Sequence, residues 1–305
     1  MAEGVSSVPA NGSEQTGGDA QEKGRLEIAQ QKARRRANLA VGMIPILVVL
    51  ITFLFWYQTW FGRRLSAGEM NQYLTDTSVP HKTQHALSQL ANEIAKGDPD
   101  ATRWYPQLLA LAENKEPEFR LMAAWVMGQD NQSEVFHQAL LRLIEDPDPM
   151  VRRNAALGLA RFGDASGESE LLEMLHPYTL KAPAAGTLEF KMKESDETPR
   201  GSVVAKIRPD GAEPEDVHSP VEGILERRIA SDGAKVSAGE EIAILAPSEG
   251  QVWESLRGLY LVGTEKSLAD VERFTHEVPG ISSNVREQAT PTLNAIRKRV
   301  EKKKP

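Results

Sequence analysis

The chain repeats a helical pattern at a separation of 32 residues, and this duplication constrains its fold more than any other feature. The segment 117–128 (PEFRLMAAWVMG) aligns with the segment 149–160 (PMVRRNAALGLA). The shared positions are two arginines and two alanine pairs: Arg120 and Arg152, then Ala123, Ala124, Ala155 and Ala156. Proline suits the first position of a helix, and small alanine pairs let neighbouring helices approach closely. We therefore predict stacked helices.

Each repeated segment follows a shorter amphipathic helix, so the unit is a helix, an Asp/Pro turn and a second helix. The preceding helices are marked by Leu108 and Leu111 in one case and by Leu140 and Ile144 in the other. The stretch 146–164 (DPDPMVRRNAALGLARFGD) resembles the HEAT repeat. This resemblance implies an α-solenoid that binds other proteins and in which the shared arginines and alanines pack neighbouring repeats.

Weaker copies of the pattern extend the array in both directions. One copy begins at Pro80, and another covers 255–263, which aligns with 155–163 at an offset of 100. We expect HEAT-like repeats over 65–176 and further HEAT-like helices over 249–299. A basic tail, 300–305, closes the chain. Two readings of this tail stay open, an anchor on anionic lipid or on a neighbour's acidic surface, and a solvated helix end.

A β-rich segment, 180–247, separates the two parts of the array and contains its own duplication. Residues 182–188 (APAAGTL) parallel 219–225 (SPVEGIL), and 201–207 parallel 239–245, at offsets of 37 and 38. This frame resembles the biotinyl/lipoyl-like barrel, a small flattened sandwich of two halves. The predicted fold class is therefore mainly α, an α-solenoid interrupted by a small all-β barrel.

The biotinyl/lipoyl resemblance would imply a modifiable lysine on the hairpin that joins the two halves. No lysine lies between Lys206 and Lys235, and the corresponding position falls near Ala212. We therefore expect no cofactor on this module. Membrane-fusion-type transport adaptors also pair a membrane span with such a barrel, but they insert a long helical hairpin at the joint. The joint here, 209–218, is too short for one, which weakens that alternative.

The run 37–62 carries no charge and is long enough to cross a bilayer as one helix. Basic residues precede it and aromatic residues end it: Arg34, Arg35 and Arg36, then Trp56, Tyr57 and Trp60. The positive-inside rule then places a disordered tail, 1–36, in the cytoplasm and the remaining domains across the membrane. In a bacterium this is a single-pass inner-membrane protein with a periplasmic domain. A cleaved signal peptide is the competing interpretation, but its apolar region would be shorter.

Charge and residue type limit the chemistry. Residues 65–296 hold 22 basic and 37 acidic side chains, so a nucleic acid is not an expected ligand. The chain has no cysteine, which excludes thiolate sites. His81 and His85 stand four residues apart, a spacing that can bind metal, but no third ligand is near in sequence. The Asp pairs at the repeat turns are expected to cap helices rather than to bind metal.

These observations favour binding over catalysis. The leading hypothesis is a membrane-anchored HEAT-repeat scaffold or accessory subunit that binds other proteins at the periplasmic face, within a respiratory or transport complex. Two alternatives remain: the transport adaptor of the membrane-fusion type, and a metal- or haem-binding redox protein that uses His81 and His85. We predict no enzymatic activity. The sequence does not indicate which face of the solenoid binds.

Overall fold

The computed structural model describes residues 43–54, 63–277 and 281–303. The chain divides into two compact units, Met1–Arg64 and Leu65–Pro305. In the first unit, the described residues 43–54 are helical, and the rest of the predicted span lies outside the described residues. Within the described ranges, no helix is both long enough and apolar enough to traverse a bilayer.

Five helix pairs build the α-helical part of the second unit, as far as the described residues show. The first members, which we call the A helices, are α1 (Ala67–Thr75), α3 (Tyr105–Leu111), α5 (Glu134–Leu143), α7 (Glu168–Glu173) and α9 (Leu268–Arg273). The second members, the B helices, are α2 (Pro80–Ala95), α4 (Pro117–Met127), α6 (Pro149–Arg161), α8 (Glu249–Val262) and α10 (Ser283–Lys303). Short 3-10 helices, Pro99–Trp104, Ala165–Gly167 and Glu265–Ser267, lead into three of the A helices.

The same local devices start these helices repeatedly. Proline occupies the first turn of α2, α4 and α6, where its missing N–H costs no hydrogen bond. The Asp148 carboxylate accepts hydrogen bonds from the Met150 and Val151 N–H groups and so caps α6. The carboxylates of Asp98 and Asp164 likewise accept an N–H two residues further on. Asp98 and Asp148 belong to the Asp pairs for which the sequence predicted capping, whereas the cap at Asp164 was not predicted.

Each B helix packs against the next B helix and against the A helix of its own pair. The first buried cluster runs from Leu65 to Leu159, and the second begins at Ala156 and ends at Ile296. Helix α6 contributes to both clusters, so the apolar core passes through it without a break. The array is therefore one stack, although its fourth pair, α7 and α8, is interrupted by the β segment.

Hydrogen bonds close the array across this interruption. The Ser255 hydroxyl on α8 donates to the Leu171 carbonyl on α7 over 2.5 Å. The buried Glu168 carboxylate accepts from the Thr264 N–H at 2.6 Å and from the Ser267 hydroxyl at 2.7 Å. These bonds join residues 84 to 99 positions apart, so α7 fixes the second half of the array to the first through α8 and through the turn that precedes α9.

Eight strands form the inserted segment: β1 (Tyr178–Lys181), β2 (Gly186–Phe190), β3 (Glu197–Thr198), β4 (Val203–Arg208), β5 (Glu215–His218), β6 (Gly223–Arg228), β7 (Lys235–Val236) and β8 (Glu241–Pro247). They make two antiparallel four-stranded sheets, ordered β1-β8-β6-β3 and β5-β4-β2-β7. Residues from both sheets share one buried cluster, among them Leu188, Ile207, Leu225 and Leu245. The segment is a sandwich.

For 180–247 we predicted a barrel in the form of a small flattened sandwich; the sandwich is present, but its two sheets do not close into a barrel, so that part of the prediction is wrong. No ladder joins the two sheets, and β3 and β7, each at one end of its sheet, are only two residues long. Such short edge strands end the hydrogen-bond network instead of continuing it into the other sheet. The apolar side chains between the sheets still bury a common core, as they would in a barrel.

The sandwich has internal two-fold symmetry, which follows the sequence duplication. Strands β1 to β4 correspond to β5 to β8 in order. Replacing each strand by its counterpart converts the order of one sheet into the order of the other. Glycine is required at equivalent sites, because a Cβ on Gly186 would lie 2.5 Å from the Arg208 carbonyl oxygen and one on Gly223 would lie 2.4 Å from the Ala246 oxygen. The duplication thus preserves a close backbone approach in each half.

Candidate functional site

The B helices leave one face of the array uncovered, and large apolar side chains are exposed there. Trp125 on α4 is 42% exposed, and Trp253, Tyr260 and Leu261 on α8 are 36%, 44% and 47% exposed. Aromatic side chains at a surface supply large contact area at a low cost in conformational entropy. Such side chains on two B helices, one on each side of α6, are typical of a protein-binding face.

Three adjoining hollows follow this face, and together we call them the B-helix groove. The first lies between α4, α6 and α8, and the second lies between α6, α8 and α10. Leu157, Arg161 and Glu254 line both of them. The third, between α8 and α10, includes Trp253 and shares Gln288 with the second. The hollows therefore form one continuous depression over four B helices, from α4 to α10.

The open shape of the hollows suits side chains of a docked polypeptide. Their volumes are about 250, 440 and 640 Å³. Binding cavities for small molecules typically span about 300–1,000 Å³, so volume alone does not distinguish the two uses, but such cavities enclose most of the ligand. An open depression that continues from one hollow to the next fits successive side chains better than it fits one compact cofactor.

Charged side chains in the groove are held by local contacts. The Arg161 guanidinium donates to the Gly128 carbonyl at 3.1 Å, which satisfies an acceptor at the end of α4. The Arg257 guanidinium lies over the Trp253 ring, 4.6 Å from its centroid, and 3.6 Å from the Glu254 carboxylate. Such cation–π contacts stiffen an aromatic surface before any partner arrives.

The two predicted repeat arginines occupy equivalent junctions of the array. Arg120 forms a bidentate pair with Asp146, with Nε–Oδ2 and Nη2–Oδ1 distances of 2.7 and 2.9 Å. Arg152 donates from Nε to the Glu170 carboxylate at 2.9 Å. In both cases Nη1 donates to the carbonyls five and six residues earlier. The predicted alanines Ala123, Ala124, Ala155 and Ala156 are all fully buried.

The partner of Arg152 differs from that of Arg120 because the β segment interrupts the next repeat. The position equivalent to Asp146 is Tyr178, the first residue of β1, so no repeat turn follows there. Glu170 on α7 supplies the carboxylate instead. This replacement has a second effect, since the same carboxylate also lies 3.7 Å from the guanidinium of Arg153.

The predicted histidine pair lies away from the groove lining. His81 and His85 are in the first half of α2, where His81 is exposed and His85 is half-buried. Over 43–54, 63–277 and 281–303, no three His, Cys, Asp or Glu side chains are grouped so that they could hold a metal ion. The predicted membrane-interface residues Arg34, Arg35, Arg36, Trp56, Tyr57 and Trp60 lie outside the described residues.

Several groove residues occupy equivalent positions in the repeat alignment. Trp125 and Leu157 each come directly after the buried alanine pair of their helix, and Arg257 is the equivalent residue of α8. A residue one step beyond a buried helical position points towards the edge of the buried face. The alignment therefore marked one edge of the groove, although it did not show that neighbouring edges would join.

Comparison with known proteins supports the helical repeats. Residues 105–188 match the family model described as HEAT repeats. Its last part, 178–188, belongs to strands β1 and β2 and the turn between them, because the inserted sandwich begins where the second helix of the repeat would follow. No curated protein matches the chain.

Matches to solved structures cover only small parts of each chain. An aspartoacylase family protein from Mesorhizobium loti is 28% identical, with a TM-score of 0.21, over 23% of this chain and 23% of that one. A single-chain, multi-domain long-chain acyl-CoA carboxylase is 18% identical, with a TM-score of 0.22, over 32% of this chain and 10% of that one. The chain thus spans less than a quarter of either structure. The comparison that describes part of this chain is the match of 105–188 to HEAT repeats.

Proposed function

We propose that this chain is a membrane-anchored HEAT-repeat scaffold or accessory subunit that binds another protein along the B-helix groove. The observation that carries this proposal is the set of exposed aromatic and aliphatic side chains on the B helices α4 and α8, which lie on either side of α6 along the groove. HEAT repeats in general mediate contacts between proteins, and their helical faces provide the surface. A respiratory or transport complex of the bacterial inner membrane is the proposed setting.

The uncovered side chains of the first unit support membrane anchoring. In the helical residues 43–54, Ile46 is 68% exposed and every other large aliphatic side chain is at least about half exposed. Contiguous exposure of this kind is costly in water and favourable in lipid. Arginines precede the uncharged run 37–62 and aromatic residues end it. Together with the exposed aliphatic side chains, they support the proposal of a single span with the second unit in the periplasm.

We further propose that the sandwich is a biotinyl/lipoyl-like module that carries no prosthetic group and extends the binding surface. Strands β4 and β5 are joined by residues 209–214, and Ala212 lies where the resemblance places the modified lysine. The helical hairpin of a membrane-fusion-type adaptor has no counterpart in the described residues 178–247. The scaffold hypothesis therefore has more support than the adaptor hypothesis.

Affinity purification of the full chain from native membranes tests the proposed function. The variant Trp253→Ser/Tyr260→Ser removes two aromatic groups from the groove. We expect the amount of partner protein that co-purifies with it to fall at least about tenfold. Val135→Ser is the matched control, because Val135 is 53% exposed but lies on the A helix α5. Equal recovery of partners from both variants, or recovery of a free monomer only, would contradict the proposal.

A further inference from the structure

One buried cation in the B-helix groove is incompletely neutralised. Arg153 on α6 lines the first hollow, yet only 3% of the residue is exposed. Its Nη1 donates to the Gln251 side-chain oxygen at 2.7 Å, and its Nε has no hydrogen-bond partner. Gln251 is neutral and is itself fixed by donating to the Met174 carbonyl at 2.8 Å. The closest amide therefore orients the guanidinium without balancing its charge.

Two guanidinium groups share one carboxylate at this place. Glu170 lies 2.9 Å from the Arg152 Nε, in a hydrogen bond, and 3.7 Å from the Arg153 Nε, beyond hydrogen-bond distance. Glu222, on the rim of the hollow, is exposed and accepts a hydrogen bond from the Ser248 hydroxyl. Burial lowers the pKa of Arg153, against the opposing effect of Glu170. A buried cation of this kind is stabilised by a further anion.

The shape of the hollow indicates how that anion is carried. Trp125, Met150 and Leu157 supply apolar walls around a volume of about 250 Å³, which accommodates about one side chain. The hollow opens into the second one through Leu157 and Arg161, so a bound polypeptide can continue along the groove. This continuity favours a side chain inside a segment over a chain terminus.

We infer that the first hollow accepts the carboxylate of a Glu or Asp side chain from a partner segment that lies along the groove. This inference rests on the proposed function, because it specifies the partner's chemistry at the same face. Arg161 and Arg257 line the next hollow against one acid, Glu254. These arginines stand out in a body, 65–296, that holds 22 basic and 37 acidic residues. The first two hollows together hold three arginines against two acids, Glu222 and Glu254, whereas the third holds Glu249 and Glu287. Complementarity to an acidic and apolar segment is therefore a property of the first two hollows.

A displayed library of peptides with random sequences serves as the probe of the groove. The full chain, held in detergent micelles, is used to select peptides, and those that no longer bind Trp253→Ser/Tyr260→Ser are retained as groove binders. We expect these to share one Asp or Glu flanked by aromatic or aliphatic residues. Replacing that acid by its amide should weaken binding to the unaltered protein by roughly tenfold or more.

Arg153→Met then tests the assigned contact. In this variant the acid and its amide should bind equally, whereas Arg142→Met, an exposed change on α5, should leave the preference intact. If circular dichroism shows that Arg153→Met is unfolded, the Nε–H signal of Arg153 in the unaltered protein replaces it, and the acidic peptide must shift this signal more than the amide peptide does.

The outcomes separate this inference from the proposed function. Groove binders without a shared acid, or with an acid preference that survives Arg153→Met, overturn the carboxylate inference and leave a protein-binding groove. An acidic peptide that fails to shift the Arg153 signal overturns it as well. An absence of any groove-directed peptide contradicts both proposals.

Discussion

The helical array and the sandwich each arise from an internal duplication, but they bury their apolar surface in different ways. The helical array repeats by stacking, so each pair covers its neighbour and one face of the B helices stays open. The sandwich repeats by a two-fold exchange, so that each half covers the other. Stacking produces a long uncovered surface and closure does not, which explains why the exposed aromatic side chains are on the array.

Glycines are closely packed in both regions, but their neighbours differ from site to site. In the array, a Cβ on Gly167 would lie 2.7 Å from the Ala156 Cα, whereas one on Gly158 would lie 2.9 Å from a methyl group of Leu140, a side chain that can move. In the sandwich, a Cβ on Gly186 or Gly223 would meet a backbone oxygen at 2.5 or 2.4 Å. Side-chain neighbours yield at a modest cost, whereas paired backbone cannot move without breaking its sheet. We therefore expect Gly186 and Gly223 to tolerate substitution less than Gly158 does.

Gly223→Val should have the largest effect. Its Cβ would collide with the Ala246 oxygen, so β6 and β8 would separate, at an expected cost of at least about 3 kcal/mol in the free energy of unfolding. Urea denaturation with hydrogen exchange would measure the loss and locate it. Gly68→Ala is the control, because its Cβ would meet nothing within 4 Å and should stabilise α1 slightly. Equal stability of both variants would refute the packing argument.

Arg120→Met should have the next largest effect, and it tests the array. The change leaves the buried Asp146 carboxylate without its bidentate partner, which costs about 3 kcal/mol in comparable buried pairs. Urea denaturation measures this loss. Arg142→Met removes an exposed arginine from the adjacent helix and should cost less than about 0.5 kcal/mol. A similar small loss for both variants would mean that Arg120 does not hold its junction.

Sequence patterns predicted where helices and strands lie better than they predicted how the strands pair into sheets. The offset of 32 located α4 and α6, and the offset of 100 located α8 beyond the insertion, because buried alanine and glycine positions recur in the sequence. The offset of 37 to 38 gave the two halves of the sandwich, but it could not show whether the sheets would join, since strand pairing depends on contacts between distant residues. The predicted barrel is therefore present only as a sandwich of two separate sheets.

The groove could be predicted only in part. The residue after each alanine pair is recognisable from the alignment, as Trp125 and Leu157 show. Arg153 is not, because its burial results from Gln251 and Glu170, which come from two different helices on either side of the insertion. Its environment is a product of tertiary packing, and no local sequence pattern encodes it.

Acid should weaken the array through two carboxyls. Burial acts to raise the pKa of Asp146, but hydrogen bonds from Arg120 and the Asp148 N–H outweigh it and hold that pKa below its ordinary value. The pKa of Asp164 is lowered likewise, against burial, by hydrogen bonds from Ser166 and His137. A depressed folded pKa adds stability above the unfolded value, about 3.9, and this stability is lost as the pH falls through the folded pKa.

Hydrogen exchange and urea titrations at successive pH values would test this. We expect the array to lose protection below about pH 4 before the sandwich does, since the carboxyls with a lowered pKa in the sandwich, Glu189 and Asp216, are more exposed. Asp146→Asn, which lacks one of the titrating groups, should lose less stability over the same pH range than the unaltered chain. A larger loss in that variant would contradict the assignment.

Removing the sandwich should have the smallest effect on the array. Tyr178 pairs directly with Leu245, so the insertion begins and ends at neighbouring strands, and a short Gly/Ser linker can replace 178–247. The array loses the ion pairs of Arg200 with Asp148 and Glu118, which together are expected to contribute less than about 1 kcal/mol. Hydrogen exchange in α8 should then stay close to that of the full chain. Unprotected α8 amides would show that the array depends on the sandwich.

Site-specific photo-crosslinking in native membranes tests the binding face most directly. A photoreactive phenylalanine analogue is placed in turn at Trp125, Trp253 and Tyr260 in the groove, at Val135 on an A helix and at Ile229 in the sandwich, all of which are exposed. The account predicts adducts with one common partner protein from the three groove positions. Adducts with that partner from Val135 or Ile229, and none from the groove, would contradict it.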